Sequence, residues 1–372
     1  MIIHLPLTSV YLYKGFVSLV SFSLALGCYG LLAVLPLSQL LSHRSTIMAR
    51  ISALGVLVGA LSLPLALVNA AANQLEQVTV DFGRNPTNVG FYIYVPTTRV
   101  ANPPVLVNPH ACHGQASDAF TGSQYATLAD EYGFIVIYPD SPNQADKCWD
   151  VSSSQTLSHN GGGDSLGIVS MVQYTLKKYN GDASRVFATG VSSGAMMTNV
   201  LLGSYPDVFA AGSAFAGVAF GCFAGDGYDV WSDDCATGKV IKTGKEWAAI
   251  VKAAYPGYKG YRPKMQVFHG TADEVLNPQN LQEEIKEWTA VLGLPSSPIE
   301  TVLDTPVSGW TKSGYGPTFE SYSAKGVPHN IPNQEPTVMS WFDLTCTGTD
   351  CFSRTSGSFT APPRDCTSSR RH

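Results

Sequence analysis

The sequence predicts an α/β domain with a mostly parallel sheet covered by helices on both faces. Three observations carry that prediction. Short runs of consecutive apolar residues, such as Ile135-Val136-Ile137-Tyr138, read as strands buried on both faces. Stretches with apolar residues at helical spacing separate those runs. The two kinds of segment alternate from Gln77 onward, and alternation of this kind builds a parallel sheet.

Each element follows from its residues. Val89 to Val95 reads as a strand ended by Pro96. Val105-Leu106-Val107 is a short buried strand followed by a loop. Ser117 to Tyr132 carries Tyr125, Leu128 and Tyr132 at helical spacing and is expected to be helical. Ile135 to Tyr138 is the next strand and ends at Pro139-Asp140. Asp164 is placed to cap a helix running through Ile168, Met171, Val172, Tyr174 and Leu176. Val186 to Thr189 is a strand, with a helix from Ser193 to Leu202. Met265 to Phe268 is a further strand, and Leu281, Ile285, Trp288 and Leu292 mark one face of a helix. No internal repeat is present.

With 372 residues, the chain is long enough for one large domain plus processing segments. Only 14% of residues are charged, which excludes a disordered polyelectrolyte. A net charge of -5 offers no basic footprint for nucleic acid. Phe16 to Leu41 is an apolar run long enough to span a bilayer. A second run, Ile51 to Val68, follows Met48-Ala49-Arg50 and precedes Ala70-Ala71-Ala72, the pattern of a signal peptide. Residues 1–47 are therefore either an extension upstream of a start at Met48 or a membrane-spanning segment. Residues 48–72 are the expected signal peptide, 73–344 the folded domain, and 345–372 a loosely held tail rich in Ser, Thr, Pro and Cys. An exported product makes disulfides the default state of its cysteines. Seven cysteines lie beyond the leader, so at least one is left over from intrachain pairing.

Two segments match Gly-x-Ser-x-Gly: Gly190 to Gly194 and Gly163 to Gly167. The motif makes a nucleophile only where a strand runs through a sharp turn into a helix. Val186 to Thr189 supplies that strand ahead of Ser192, and Ala195-Met196-Met197 opens a helix behind it. Ser165 follows Asn160-Gly161-Gly162-Gly163, which cannot be a core strand, so Asp164-Ser165 reads as a helix N-cap. Ser192 placed in this way points to the α/β-hydrolase architecture.

A serine nucleophile needs a histidine to take its proton and a carboxylate to orient that histidine, in the chain order Ser, acid, His. His269 and His329 are the candidates downstream, setting aside the extreme C-terminus. His329 lies in a loop after the strand-like Phe319 to Tyr322, where the base belongs. Asp273 follows the strand end at Phe268-His269 and is the expected acid, while His269 is expected to be a packed or hydrogen-bonded residue. Two backbone N–H groups must face the oxyanion of the tetrahedral intermediate. Ser193 supplies one and Cys112, in the loop after Val105 to Val107, is chosen for the other. His110, Cys112 and His113 could alternatively suggest a metal site, but no further ligand set accompanies them. No metal is expected, and a Ser-His-Asp triad needs no cofactor.

Several stretches resemble the fungal acetylxylan esterases of the first carbohydrate esterase family, which is related to feruloyl esterases and polyhydroxybutyrate depolymerases. They include Cys148-Trp149-Asp150-Val151-Ser152-Ser153, His159-Asn160-Gly161-Gly162-Gly163-Asp164-Ser165, Ser192 to Val200, His269-Gly270-Thr271-Ala272-Asp273 and His329-Asn330-Ile331-Pro332. The resemblance spans about residues 75–344. It implies Ser192, Asp273 and His329 as the triad of a secreted enzyme that removes ester groups from acetylated or feruloylated xylan. It departs from the family at Ala111-Cys112-His113-Gly114, where the pattern is an aromatic residue followed by Cys-Thr-Gly. Beside the resemblance, disulfides Cys112–Cys148 and Cys222–Cys235 are expected, the second closing a loop that carries Trp231. Trp231 and Trp310, expected in loops downstream of the nucleophile, and His113 are candidate sugar contacts. The domain is expected to work as a monomer, without nucleic acid and without a membrane.

Overall fold

The computed structural model describes residues 5–13, 16–24, 75–346 and 348–355. The chain divides into two units, Met1–Leu65 and Ala66–His372. In the first, strands β1 (Leu5–Tyr13) and β2 (Phe16–Leu24) pair as an antiparallel hairpin. Phe16 to Leu24 is the start of the long apolar run; the expected signal peptide lies outside the described residues. Among the described residues no helix is long and apolar enough to cross a membrane.

The second unit runs β3 (Glu76–Gln77), β4 (Gly90–Tyr94), β5 (Val105–Val107), α1 (Ala116–Thr121), α2 (Tyr125–Tyr132), β6 (Ile135–Asp140), α3 (Gly163–Tyr179), β7 (Val186–Val191), α4 (Ser193–Ser204) and β8 (Ala211–Phe215). It continues through α5 (Asp233–Ala236), α6 (Gly244–Ala253), β9 (Lys264–Gly270), α7 (Gln279–Leu292), β10 (Glu300–Leu303), β11 (Trp310–Gly316), β12 (Phe319–Ala324) and α8 (Glu335–Phe342). Ten strands form one sheet in the order β10-β11-β12-β9-β8-β7-β5-β6-β4-β3. The six from β12 to β6 are parallel, and antiparallel strands finish both edges. The prediction of a mostly parallel α/β sheet holds.

Side chains alternate across the sheet and feed a core on each face. Val105, Val107, Ile135, Ile137, Val186, Met265 and Val267 pack with residues of α3, α4, α6 and α7. Leu106, Val136, Phe187, Phe215 and Phe268 pack on the other face with α1, α2 and α8. Strands buried in this way on both faces must be apolar throughout, which is why they could be read from sequence.

Three expectations need correction. The helix expected over Ser117 to Tyr132 is two helices. Gly122 closes α1, with its N–H bonded to the Asp118 carbonyl, and the Gln124 N–H turns outward to Glu335 on α8 at 3.3 Å. Asp164 does not cap α3. Gly162 stands at the N-cap, and the Asp164 carboxylate is buried inside the first turn, where it accepts the Asp150 N–H at 3.0 Å. The tail does not leave the domain at Leu344. Cys346 and Cys351 form a disulfide, and Phe352, only 7% exposed, stacks on Phe187. The Phe352 N–H is also bonded to Asp343 Oδ2 at 2.8 Å. An apolar side chain with a place in the core holds the first part of the tail down. Cys366 lies outside the described residues.

Candidate active site

Ser192 sits between the last residue of β7 and the first of α4, with φ 56° and ψ -121°. A non-glycine residue at this φ is strained, and a strained turn from strand to helix lifts the side chain clear of the sheet. The bracketing glycines explain how the turn is built. A Cβ on Gly190 would meet the Gly194 carbonyl at 2.6 Å, and one on Gly194 would overlap the Pro109 carbonyl. The Ser192 N–H is bonded to the Phe215 carbonyl on β8 at 2.8 Å.

His329 Nε2 lies 2.8 Å from Ser192 Oγ. On the other side of the ring, His329 Nδ1 lies 2.8 Å and 3.0 Å from the two carboxylate oxygens of Asp273. The residues bracketed from sequence thus converge from three loops at the C-terminal ends of β7, β9 and β12. The His329 backbone N–H is bonded to Glu274 Oε2 at 3.1 Å, which ties the loop of His329 to the loop of Asp273. Asp273 Oδ1 accepts the N–H groups of Val275 and Leu276 at 2.9 and 2.8 Å. Burial alone would raise the Asp273 pKa, but hydrogen bonds from His269, His329 and Leu276 outweigh it and hold the carboxyl well below the usual range.

Ser193 is the first residue of α4, so its N–H belongs to the first-turn donors that have no partner within the helix. Cys112 lies on the loop after β5 and borders the same cavity as Ser193. That loop is fixed at several points. Cys112 is bonded to Cys148. The indole Nε1–H of Trp149 donates to the His110 carbonyl at 2.8 Å, and its backbone N–H donates to Ser193 Oγ at 2.8 Å. His110 Nε2 accepts the Ser141 N–H at 3.0 Å. The alternative metal reading of this cluster does not hold, because the Cys112 sulfur is in the disulfide and His110 Nε2 is occupied. The second expected disulfide, Cys222–Cys235, is also present.

A cavity of about 470 Å³ opens over Ser192. Ala111, Cys112, His113, Trp149, Val151, Met196, Phe223, Trp231, Val275 and Leu276 are among its lining residues, with Asp146 and Asp229 at one side. Trp231 borders the cavity and is 53% exposed, with its Nε1–H bonded to Asp233. His113 borders it as well. Trp310 does not. It opens β11 rather than lying in a loop, is 3% exposed, and packs beside Phe268 opposite the small Ala324, which leaves room for its ring. The second Gly-x-Ser-x-Gly is no nucleophile site, since Ser165 is fully buried with its hydroxyl bonded to the Thr156 carbonyl at 2.7 Å. Sequence reasoning singled out neither Trp149 nor Asp229. Trp149 stands within the Cys148-to-Ser153 stretch that carried the resemblance, and its neighbour Cys148 was an available signal.

The fold and the convergence of Ser192, His329 and Asp273 define the α/β-hydrolase class of protein. The model of the family described as esterase PHB depolymerase matches residues 89–288. Acetylxylan esterase A of Emericella nidulans is 52% identical over 275 residues, which span 73% of this chain and 90% of that protein. Acetylxylan esterase A of Aspergillus oryzae is 50% identical over 277 residues, or 74% and 90%. The solved acetyl xylan esterase from Aspergillus awamori superposes with a TM-score of 0.71 at 47% identity, over 73% of this chain and 99% of that one. The chain belongs to the esterase PHB depolymerase family, alongside the fungal acetylxylan esterases, and is a carboxylic ester hydrolase.

Proposed function

We propose that the enzyme releases acetate from acetylated xylan through an acyl-enzyme on Ser192. The observation that carries this reading is the position of His329, within hydrogen-bond distance of both Ser192 Oγ and Asp273. As Ser192 Oγ bonds to the ester carbonyl carbon, its proton passes to His329 Nε2. Asp273 holds Nδ1–H and stabilises the imidazolium that forms. The backbone N–H groups of Ser193 and Cys112 are suited to receive the oxyanion. The intermediate collapses, and the sugar oxygen leaves with the proton from His329. Water then attacks the acyl carbon, gives a proton to His329, and frees acetate as that proton returns to Ser192 Oγ.

The names of the relatives support xylan as the carrier of the ester. Trp231, exposed beside the cavity, offers an aromatic face for a sugar ring, and His113 offers a polar edge. The disulfides fit export to an oxidising compartment, and we infer a secreted, monomeric enzyme whose leader ends near residue 72. N-terminal sequencing of the secreted protein tests the leader.

A second reading is favoured by one observation. The cavity is much larger than an acetyl group, and Ala111 borders it where the family pattern has an aromatic side chain. That leaves space for a feruloyl group. Rates on acetylated xylan, methyl ferulate and a short polyester separate these readings. Acetate release lost in Ser192→Ala is expected. Failure of the wild type to release acetate from xylan would overturn the first reading, and no ferulate release would overturn the second.

A further inference from the structure

Asp273 is approached by two imidazoles. His329 faces the serine, and His269 stands behind. His269 Nε2 lies 3.1 Å from Asp273 Oδ2 and 2.9 Å from the Leu276 carbonyl oxygen. Both neighbours of that nitrogen are acceptors, so it carries the hydrogen. Asp273 Oδ1 is already taken up by the Val275 and Leu276 amides. Oδ2 has only the two imidazoles to hold it.

The placement of His269 follows from the strand. Met265, Val267 and His269 alternate along β9 and share the face beneath α7. Glu284 projects from α7 into the same interior and is fully buried. Its Oε1 accepts Asn199 Nδ2 at 2.7 Å, and Asn199 Oδ1 in turn accepts Trp288 Nε1 at 2.8 Å. Glu284 Oε2 and His269 Nδ1 are both buried without a hydrogen-bond partner. A line of groups therefore runs inward from the nucleophile: His329, Asp273, His269, Glu284.

We propose that His269 is a positioning residue for the reaction: with Nε2–H bonded to the Leu276 carbonyl and facing Asp273 Oδ2 at 3.1 Å, it fixes the carboxylate so that both oxygens face His329 Nδ1. The proposal rests on the reading of Ser192, His329 and Asp273 as the triad. Electrostatics agree with it. Burial disfavours a charge on His269, but its bonds to Asp273 and Leu276 and the negative charge of Glu284 outweigh burial and raise its pKa. Burial pushes the Glu284 carboxyl up to about 7, against the opposing influence of His269 and Asn199. Glu287, buried one turn further along α7, has its pKa raised by burial and by Glu284. Asp273, Glu284 and, behind them, His329 and Glu287 are thus the titratable groups that bear on this imidazole.

Losing His269 would have a defined consequence. With one donor fewer, the Asp273 carboxylate is more basic and holds the His329 imidazolium proton more tightly. The base works only after losing that proton, so the acid limb of kcat/KM moves to higher pH. A carboxylate held firmly only at Oδ1 can tilt, which misplaces His329 and lowers kcat.

The test compares His269→Phe, which keeps the ring and deletes the donor, with His269→Gln, which keeps an N–H donor, on a soluble acetyl ester. For His269→Phe, kcat is expected to fall about tenfold or more with little change in KM. Its acid limb is expected to rise by about half a pH unit. His269→Gln restores most of both. A folded His269→Phe with wild-type kcat and an unmoved acid limb would overturn the proposal. So would equal losses in both variants with the limb unmoved, since that marks structural support alone. Imidazole ¹⁵N and ¹H resonances of the wild-type enzyme give a check that does not depend on folding of the variants. Protonated, hydrogen-bonded Nε2 between about pH 5 and 8 is expected, and an unprotonated Nε2 overturns the proposal. Ser192→Ala is the separate control: if it retains activity the triad reading itself fails, whereas an inactive Ser192→Ala beside a fully active His269→Phe sinks only the role of His269.

Discussion

The indole of Trp149 is hydrogen-bonded to the carbonyl of His110 at 2.8 Å, joining the loop after β6 to the loop that carries Cys112. The same residue's amide is bonded to the Ser193 hydroxyl. One tryptophan thus fixes the spacing between the two backbone segments assigned to the oxyanion. Trp149→Phe keeps the aromatic volume and deletes the indole donor. We expect kcat to fall about tenfold to a hundredfold with KM little changed, because the donors are misplaced rather than removed. The buried His110 carbonyl loses its indole donor, which costs about 1–3 kcal/mol of stability. Steady-state kinetics on an acetyl ester and denaturant unfolding check the two effects. Unchanged kcat would show that the Cys112–Cys148 disulfide and the His110–Ser141 bond set the loop without the indole.

Asp273→Asn should be strongly damaging while leaving the fold in place. The amide cannot stabilise the His329 imidazolium, and it can present N–H where Nδ1–H needs an acceptor. The expected loss in kcat is about 10³–10⁴-fold at neutral pH. Single-turnover acetate release and a crystal structure of the variant would check it. A loss of less than tenfold would remove Asp273 from the mechanism.

How much of this could be read in advance follows from what each residue does. The central strands were readable because they are buried on both faces and must be apolar. β8, Ala211-Gly212-Ser213-Ala214-Phe215, was missed because its small residues carry neither β-branching nor alternation. They are small because α4 packs close against them, which is a tertiary fact. β10 and β11 were missed for another reason: they form an antiparallel edge, and β10 is exposed throughout, so no apolar pattern marks them. The error over Trp310 follows directly, since a strand not foreseen was taken for a loop. In the candidate site, Ser192, Asp273 and His329 are legible because the chain order proposed for them is constrained and each stands in the segment that follows a strand. The part played by Trp149 is not legible, because it acts through hydrogen bonds to His110 and Ser193, both distant in sequence. The role proposed for His269 is not legible either, because its contacts with Asp273 and Leu276 depend on how the turn after β9 folds back over the ring.

Acyl selectivity should respond to Ala111. The residue borders the cavity beside Cys112, and a larger side chain there would fill space that an acetyl group does not use. Ala111→Phe is expected to lower activity on methyl ferulate or on butyryl esters at least about tenfold relative to acetyl esters, since each methylene in a pocket is worth about 1–3 kcal/mol of discrimination. Ratios of kcat/KM across acetyl, butyryl and feruloyl esters measure it. An unchanged ratio would mean that the acyl group lies elsewhere in the cavity, towards Met196 and Phe223.

The contribution of Asp164 to stability should fall as pH rises through the acid range. Burial is the main influence on its carboxyl and, with the negative charge of Asp150, outweighs the bonds from the Asp150 amide and the Tyr228 hydroxyl, lifting the pKa to about 6. The unfolded chain has an ordinary aspartate near about 3.9. The native state therefore binds the proton more tightly than the unfolded state. Its contribution is fully present below about pH 4 and is lost as pH rises to about 6, a difference on the order of 2–3 kcal/mol. Asp164→Asn is neutral throughout and can still accept the Asp150 N–H through its carbonyl oxygen. It should leave stability little changed at pH 4 and raise it relative to the wild type by pH 7. Denaturant unfolding of both proteins across that range gives the difference directly, and two curves that stay parallel would show that Asp164 is not protonated in the folded enzyme.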